Sequence, residues 1–285
     1  MLRLIVVRVN RVLSIPHQGP GTWPAACAWA GNAFAAAMRR IASTDNSLVK
    51  EVLALHRRRR GEPRVLVEGR RAIADLLAVG WVPIHLLLTE GRESPPSWPQ
   101  ETQMQVTDRV AQRLSQASTA SGYLAVFPVP PPTPPDPARG GLVLAGISDP
   151  GNLGTLIRSA AAFAWDQVIV AGGCDPLGPK SIAACAGTLG NIAIFDAPGE
   201  DFPAPLADSS AAPCCALVVA GGADPARLER KPRWLIVGSE AHGVPEAWVE
   251  RCAERITLPM PGGTESLNAG VAGSIACYLL RRDHG

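Results

Sequence analysis

Three short loops concentrate the residues of this 285-residue chain that could do chemistry: 148–154 (SDPGNLG), 238–244 (GSEAHGV) and 259–268 (PMPGGTESLN). Each follows a run of apolar residues and mixes glycine with Asn, Ser or Glu. Glycine lets backbone N–H and C=O groups approach a bound molecule, because no Cβ stands in the way. One such loop reads as a tight turn; three of them at the ends of strands read as the walls of a single site. Asn152, Glu240, Ser266 and Asn268 are the polar candidates, and Arg158 stands alone in an otherwise apolar stretch, 152–164 (NLGTLIRSAAAFA). An isolated helical arginine ordinarily pairs with a carboxylate or is solvated. Beside Asn152 it is a candidate for gripping an anion, since a guanidinium stays protonated and offers a bidentate fork.

Several chemistries are disfavoured. The loop after Ile147 has Gly151 and Gly154 but no GxGxxG fingerprint, which sets aside a nicotinamide dinucleotide, and no GK[ST] follows a glycine-rich turn, which sets aside a P-loop. The seven cysteines (27, 174, 185, 214, 215, 252 and 277) contain no CxxC pair and have no nearby His partners, so no metal site is expected. They read as reduced, mostly buried thiols of a cytosolic protein. With 47% hydrophobic and 18% charged residues the composition is that of a soluble globular protein. No run reaches the roughly 18 apolar residues of a membrane span. A net charge of +2 requires any nucleic-acid contact to come from a local patch. The run Arg57, Arg58, Arg59 and Arg60, with Arg64, Arg70 and Arg71 nearby, is that patch, although a charge run is also what a solvated face looks like.

The elements that must position these residues fall into two groups. Residues 1–44 contain no Asp or Glu; they read as a disordered or mis-assigned extension, or else as an organelle transit peptide, which would make the protein mitochondrial rather than cytoplasmic. Residues 45–127 alternate helix and strand: a helix from 47 with Ser47 as N-cap and Gly61 as stop, a strand at 64–69, a helix at 70–80, a strand at 84–90, a helix at 106–117 capped by Thr107, and a strand at 122–129. Residues 128–141 hold seven prolines within ten positions and read as a semi-rigid polyproline linker. Residues 142–285 repeat the alternation, with strands at 142–147, 167–173, 191–195, 216–222, 234–240 and 255–259. Helices are expected at 152–164, 179–189, 245–253 and 266–282. Continuous apolar strands alternating with helices predict an α/β fold with a mainly parallel sheet covered on both faces. Such sheets bind ligands outside the carboxyl ends of their strands, where the three loops lie.

Asn152-x-Gly154-x-x-x-Arg158, then 235–244 (LIVGSEAHGV), then 258–280 (LPMPGGTESLNAGVAGSIACYLL) resemble in order the three signature motifs of the SpoU (TrmH-like) family of the SPOUT superfamily. These are S-adenosyl-L-methionine-dependent RNA ribose 2′-O-methyltransferases. Residues 46–127, with VLVEGRRAI at 65–73 and SGYLAVF at 121–127, are similar to the ribosomal-protein-like α/β substrate-binding domain found ahead of this catalytic domain. The resemblance implies a SPOUT-type parallel sheet ending in a deep trefoil knot, a homodimer, and rRNA or tRNA as substrate. It implies a catalytic set of Asn152, Arg158, Glu240, Ser266 and Asn268. It also implies a cofactor cleft lined by Gly238, Leu258 and Leu267, with main-chain groups around Ser239 and Met260 as hydrogen-bond partners. Because arginine does not titrate in proteins, Arg158 is better read as a phosphate clamp than as a general base. Ser266 is read either as the cap of the last helix or as a direct participant. Two departures stand out: Ala241 and His242 follow Glu240 where the family commonly has glycine, and relatives tend to carry an Arg where Ala183 stands and a larger residue at Gly190. The competing reading is a SpoU-like module that binds RNA without turnover.

Overall fold

A computed structural model of the chain describes residues 3–5, 38–130, 134–185, 187–199, 201–207, 213–228, 232–264 and 266–281. Cys27 and residues 6–37 of the acid-free segment lie outside the described residues. The remainder of that segment differs from the extension expected of it. Arg3–Ile5 forms a strand, β1, at the edge of the second sheet, and Arg39–Ile41 forms β2, an edge strand of the first.

The first sheet contains β2, β3 (Arg64–Glu68), β4 (His85–Thr89), β5 (Gln103–Val106) and β6 (Tyr123–Pro128), in the order β2-β5-β4-β6-β3. Its helices are α1 (Ser47–Ala54), α2 (Arg70–Ala78) and α3 (Asp108–Leu114). β5 escapes the sequence reading because two glutamines break its apolar pattern; it is held by parallel pairing to β4 and β2. α1 is shorter than expected and begins on Asn46, whose side chain accepts from Leu48 N–H at 2.9 Å, rather than on Ser47. Thr107 caps α3 as expected. Strand alternation divides the apolar residues between two cores. Leu66, Leu124 and Val126 pack under α1 and α3. Val65, Val67, Ala125 and Phe127 face the opposite way, into a cluster that continues through the second domain.

The second sheet runs β1-β9-β8-β7-β11-β10-β12, built from β7 (Gly141–Ala145), β8 (Gln167–Ala171), β9 (Ala193–Ala197), β10 (Cys214–Leu217), β11 (Trp234–Gly238) and β12 (Glu254–Ile256). All pairs are parallel except β1 with β9. Leu142, Leu144, Leu235 and Val237 point to a face covered by α4 (Pro150–Ala162), α5 (Pro179–Cys185) and α7 (Ala269–Arg281). Val143, Ala145, Trp234 and Ile236 point to the other face, which packs on α6 (Glu246–Val249). The strands are therefore buried on both sides, as their continuous apolar character predicts.

The C-terminal part of the proline-rich segment is docked. Asp136 N–H donates to Gln167 Oε1 at 3.1 Å, and Trp234 Nε1 donates to the Pro137 carbonyl at 3.0 Å. Gly140, with φ +77°, ends the segment where a Cβ would lie 2.4 Å from the Arg233 carbonyl, so only glycine passes. Of the described cysteines, Cys185, Cys214, Cys215 and Cys277 are buried. Burial pushes Cys185, Cys214 and Cys215 up to about 12, which leaves them un-ionised and unreactive. Among the described residues no helix is long and apolar enough to cross a membrane.

Candidate active site

β7 and β11 are neighbours, yet β8 continues on one side of them and β10 on the other, so the direction of winding reverses between β7 and β11. The loops leaving β10, β11 and β12 enclose a cavity of about 330 Å³ at the carboxyl edge of the sheet, within the ~300–1,000 Å³ range of small-molecule sites. The loop leaving β7 does not line it and meets its wall through Asn152 and Glu240.

The loop after β7 is set by Asp149, whose carboxylate accepts from Asn152 N–H at 2.8 Å and so caps α4, with Pro150 in the first turn. This holds Asn152 on the first turn, where its side-chain amide donates to Glu240 of the loop after β11. That second loop folds back sharply. Gly243 N–H bonds the Ser239 carbonyl at 2.8 Å, His242 N–H reaches Ser239 Oγ at 3.3 Å, and Gly243 takes φ +66°. Ala241 and His242 are thus accommodated, because the left-handed position falls on Gly243. A Cβ at Gly238 would sit 1.9 Å from the Gly243 backbone, so glycine at 238 is what allows the loop to close.

The third loop brings Leu258, Met260, Ser266, Leu267 and Asn268 to the cavity, opposite Gly238, Ser239 and Glu240. Leu258 is buried, whereas Leu267 is 39% exposed at the mouth. The last helix starts three residues later than expected. Asn268, not Ser266, is its cap: Asn268 Oδ1 accepts from Val271 N–H at 3.2 Å. Ser266 is therefore free of the capping role offered for it and lines the cavity instead. Gly270 marks the convergence, since a Cβ there would meet Asn152 Oδ1 at 2.9 Å and Asn268 Oδ1 at 3.1 Å.

Arg158 is placed differently. It lies on the exposed face of α4, does not line the cavity, and pairs with no carboxylate among the described residues. Of the arginine run, Arg57 and Arg59 are exposed, but Arg58 is buried against Asp175 and Arg60 pairs with Asp196. Those two are committed to contacts inside the protein, which corrects the expectation that all four face RNA. Sequence reasoning missed Leu217, Val218 and Val219 as cavity lining. They sit in an apolar run expected to be strand through residue 222, whereas β10 stops at Leu217. The Gly221-Gly222 pair was the available signal for an earlier end.

The family model for the SpoU rRNA methylase family matches residues 141–278. This part of the chain belongs to the SpoU rRNA methylase family. Residues 46–125 match the MRM3-like substrate binding domain that accompanies it. SpoU relatives include a 23S rRNA (uridine(2479)-2′-O)-methyltransferase of Streptomyces viridochromogenes, 28% identical over 85% of this chain and 91% of its own. They also include a 23S rRNA (guanosine(2553)-2′-O)-methyltransferase of Bacillus subtilis, 27% identical over 86% of this chain and 100% of its own. A crystal structure of an RNA 2′-O ribose methyltransferase superposes with TM-score 0.72 at 29% identity, over 86% of this chain and 99% of that one. An AdoMet-bound rRNA methyltransferase from Sinorhizobium meliloti superposes with TM-score 0.73 at 25% identity, over 86% and 98%. The two rRNA enzymes act on different nucleotides at nearly equal identity to this chain.

Proposed function

We propose that this chain transfers a methyl group from S-adenosylmethionine to a ribose 2′-hydroxyl of rRNA or tRNA. The observation that carries this is the meeting of Asn152, Glu240 and Asn268, from three separate loops, beside one cavity at the winding reversal of a SpoU-family sheet.

The cavity fits the methyl donor. Leu217, Leu258, Leu267 and Ala272 offer apolar walls for a flat heteroaromatic base, and the loop that Gly238 admits presents backbone groups for its edges. Glu240 is the one charged residue among the described lining residues, of the sign that suits a sulfonium cation. When bound, S-adenosylmethionine supplies an electrophilic methyl group. The chain must then orient a 2′-hydroxyl and help it lose its proton. Glu240 fixes the amide of Asn152 by accepting from its nitrogen, which leaves the Asn152 carbonyl oxygen beside Gly270, where the Asn268 side-chain oxygen also lies. That oxygen can accept from a hydroxyl. Arg158, exposed and unpaired among the described residues, is suited to hold an RNA phosphate and to stabilise the nascent alkoxide. Because a guanidinium stays protonated, the proton leaves to the phosphate or to water.

Two features of assembly belong to the same reading. The chain leaving β12 is held against the loop after β10, with Val218 N–H bonded to the Ile256 carbonyl at 2.9 Å and Thr257 N–H to the Ala223 carbonyl at 3.0 Å. It then crosses back to lay α7 on α4. This supports a knotted C-terminal region. Val271, Ile275 and Tyr278 lie exposed at i, i+4 and i+7 on α7, with Tyr278 against Phe163 at 5.4 Å. Such an apolar stripe supports a homodimer packed through α7. RNA binding falls to the first domain, with Arg57 and Arg59 among its exposed cations.

The test is transfer of labelled methyl groups from S-adenosylmethionine to bulk rRNA and tRNA by wild type and Arg158→Ala. Wild type labels RNA, and the variant binds the methyl donor equally well but loses about 100-fold or more in rate, the scale of a transition-state electrostatic contact. A wild-type chain that binds the donor and labels no RNA is a binding module, and the enzymatic reading fails.

A further inference from the structure

The arginine run alternates in direction once folded. Arg58 has a side chain only 3% exposed; it pairs with Asp175, and its Nη2 and Nε donate to the carbonyls of Glu62 at 2.8 Å and Arg64 at 3.1 Å. Arg60 places Nε 3.1 Å from Asp196 Oδ2 and donates from Nη2 to the carbonyls of Gly172 at 3.2 Å and Cys174 at 3.0 Å. Gly172, Cys174 and Asp175 belong to the loop leaving β8, and Asp196 to β9, so both side chains cross from the first domain to the second. Arg60 meets Asp196 as an ion pair without a hydrogen bond from Nε, while Arg58 serves a carboxylate and two carbonyls at once, which suits a planar five-donor group and not an ammonium.

The gripped loop backs the active site. Cys174 N–H donates to the Ile147 carbonyl at 2.8 Å, and a Cβ at Gly173 would lie 2.1 Å from that same oxygen, so the two backbones are pressed together. Ile147 is two residues ahead of Asp149, the cap that holds Asn152 in reach of Glu240. Other contacts between the domains run from α5 to β3 and from α2 to residues 188–191, and they include apolar ones: a Cβ at Gly190 would lie 2.7 Å from Val79, the residue that ends α2, within a core cluster shared by both domains. The tightness of that contact also explains glycine at 190. Apolar burial is non-directional and fixes separation better than rotation. Directional charge-assisted bonds at a second point remove the remaining freedom.

We propose that Arg58 and Arg60 are positioning residues, an ionic clamp that sets the orientation of the RNA-binding domain over the loop carrying Asn152. The clamp stands on geometry alone; its catalytic consequence rests on the methyltransferase reading above.

The test uses the full chain with Arg60→Met, Arg60→Lys and Asp175→Asn. Asp175→Asn is close in shape and reads the clamp from the other side should Arg60→Met fail to fold. Amide hydrogen exchange in peptides spanning 172–178 and 147–152 is expected to quicken about five-fold or more in Arg60→Met and Asp175→Asn, because local opening is no longer opposed. S-adenosylmethionine affinity is expected to stay within about two-fold, while kcat/KM for RNA falls about ten-fold or more, as small misplacements do. Arg60→Lys restores only part of both effects. Exchange unchanged from wild type in both peptides overturns the clamp. Faster exchange with an unchanged kcat/KM for RNA overturns the positioning role. If exchange quickens but the wild type itself methylates no RNA, the methyltransferase reading falls and the clamp survives.

Discussion

Replacing Gly270 with Ala separates catalysis from stability. The added Cβ would lie 2.9 Å from Asn152 Oδ1 and 3.1 Å from Asn268 Oδ1, inside the ~3.5–4.0 Å of a relaxed contact. Both oxygens are ends of rotatable side chains, so they yield without a backbone shift. Asn152 cannot turn without disturbing its bond to Glu240, however, and Asn268 cannot turn without releasing Val271 N–H. Alanine in place of a helical glycine gains about 0.5–1 kcal/mol, and a weakened cap costs about 1 kcal/mol. Net stability is therefore expected within about 1 kcal/mol of wild type, a Tm change of only a few degrees. Catalysis should suffer far more, since a displacement of about 1 Å in a reacting group costs on the order of 100-fold. Gly273→Ala is the contrast. Its Cβ would lie 2.3 Å from Leu156 Cδ2 and 3.2 Å from Val237 in the core, so it should destabilise by about 1–3 kcal/mol and largely spare activity per folded molecule. The assay pairs thermal unfolding with methyl transfer to RNA. Gly270→Ala that folds like wild type and methylates at the wild-type rate would refute the placement of Asn152 and Asn268 in the site.

Three further outcomes follow from the structure. Arg57→Ala with Arg59→Ala should weaken RNA binding and lower the slope of log affinity against log salt by up to about 2, at ~0.7–0.9 per phosphate contact; a salt titration that keeps its slope removes these arginines from the interface. Asp196 is pushed up to about 6 by burial, against the opposing pull of Arg60. Its folded value exceeds the ordinary 3.8, so the native state binds the extra proton, and the stability this group contributes is complete at low pH and lost as pH rises from about 4 to 6. That displacement corresponds to ~3 kcal/mol. Urea unfolding at pH 4 and pH 7 should show Asp196→Asn without that part of the pH dependence; parallel curves for the two proteins would contradict it. Finally, Ile275→Asp with Tyr278→Asp on the exposed stripe of α7 should turn a dimer into a monomer in sedimentation velocity, and a wild-type monomer would rule out the dimer.

Much of the second domain can be read from the chain because its strands and helices carry unmistakable patterns. Leu142 to Ala145 and Trp234 to Val237 are apolar at every position, which only a doubly covered parallel strand requires. β5 could not be read, since Gln103 and Gln105 look like loop and become strand only through pairing with β4. Arg39–Ile41 is likewise too short to show a period and depends on β5 for its place. In the site, Gly238, Glu240 and Asn268 were recognisable as members of glycine-bearing loops at strand ends. That Asn268 rather than Ser266 caps α7 was not, because both residues are good caps and the choice depends on where packing against α4 lets the helix begin.

The sequence by itself determined the α/β class and the three glycine-bearing loops, and its motifs pointed to the SpoU family, because periodicity and residue type are local properties written along the chain. Only the tertiary structure decided which side chains meet. Asn152 reaches Glu240 across 88 residues, and Arg58 reaches Asp175 across 117. Four consecutive arginines look equivalent in one dimension. In three, Arg57 and Arg59 face solvent while Arg58 and Arg60 grip the second domain, because neighbouring side chains point in different directions and only packing reveals which direction holds a partner.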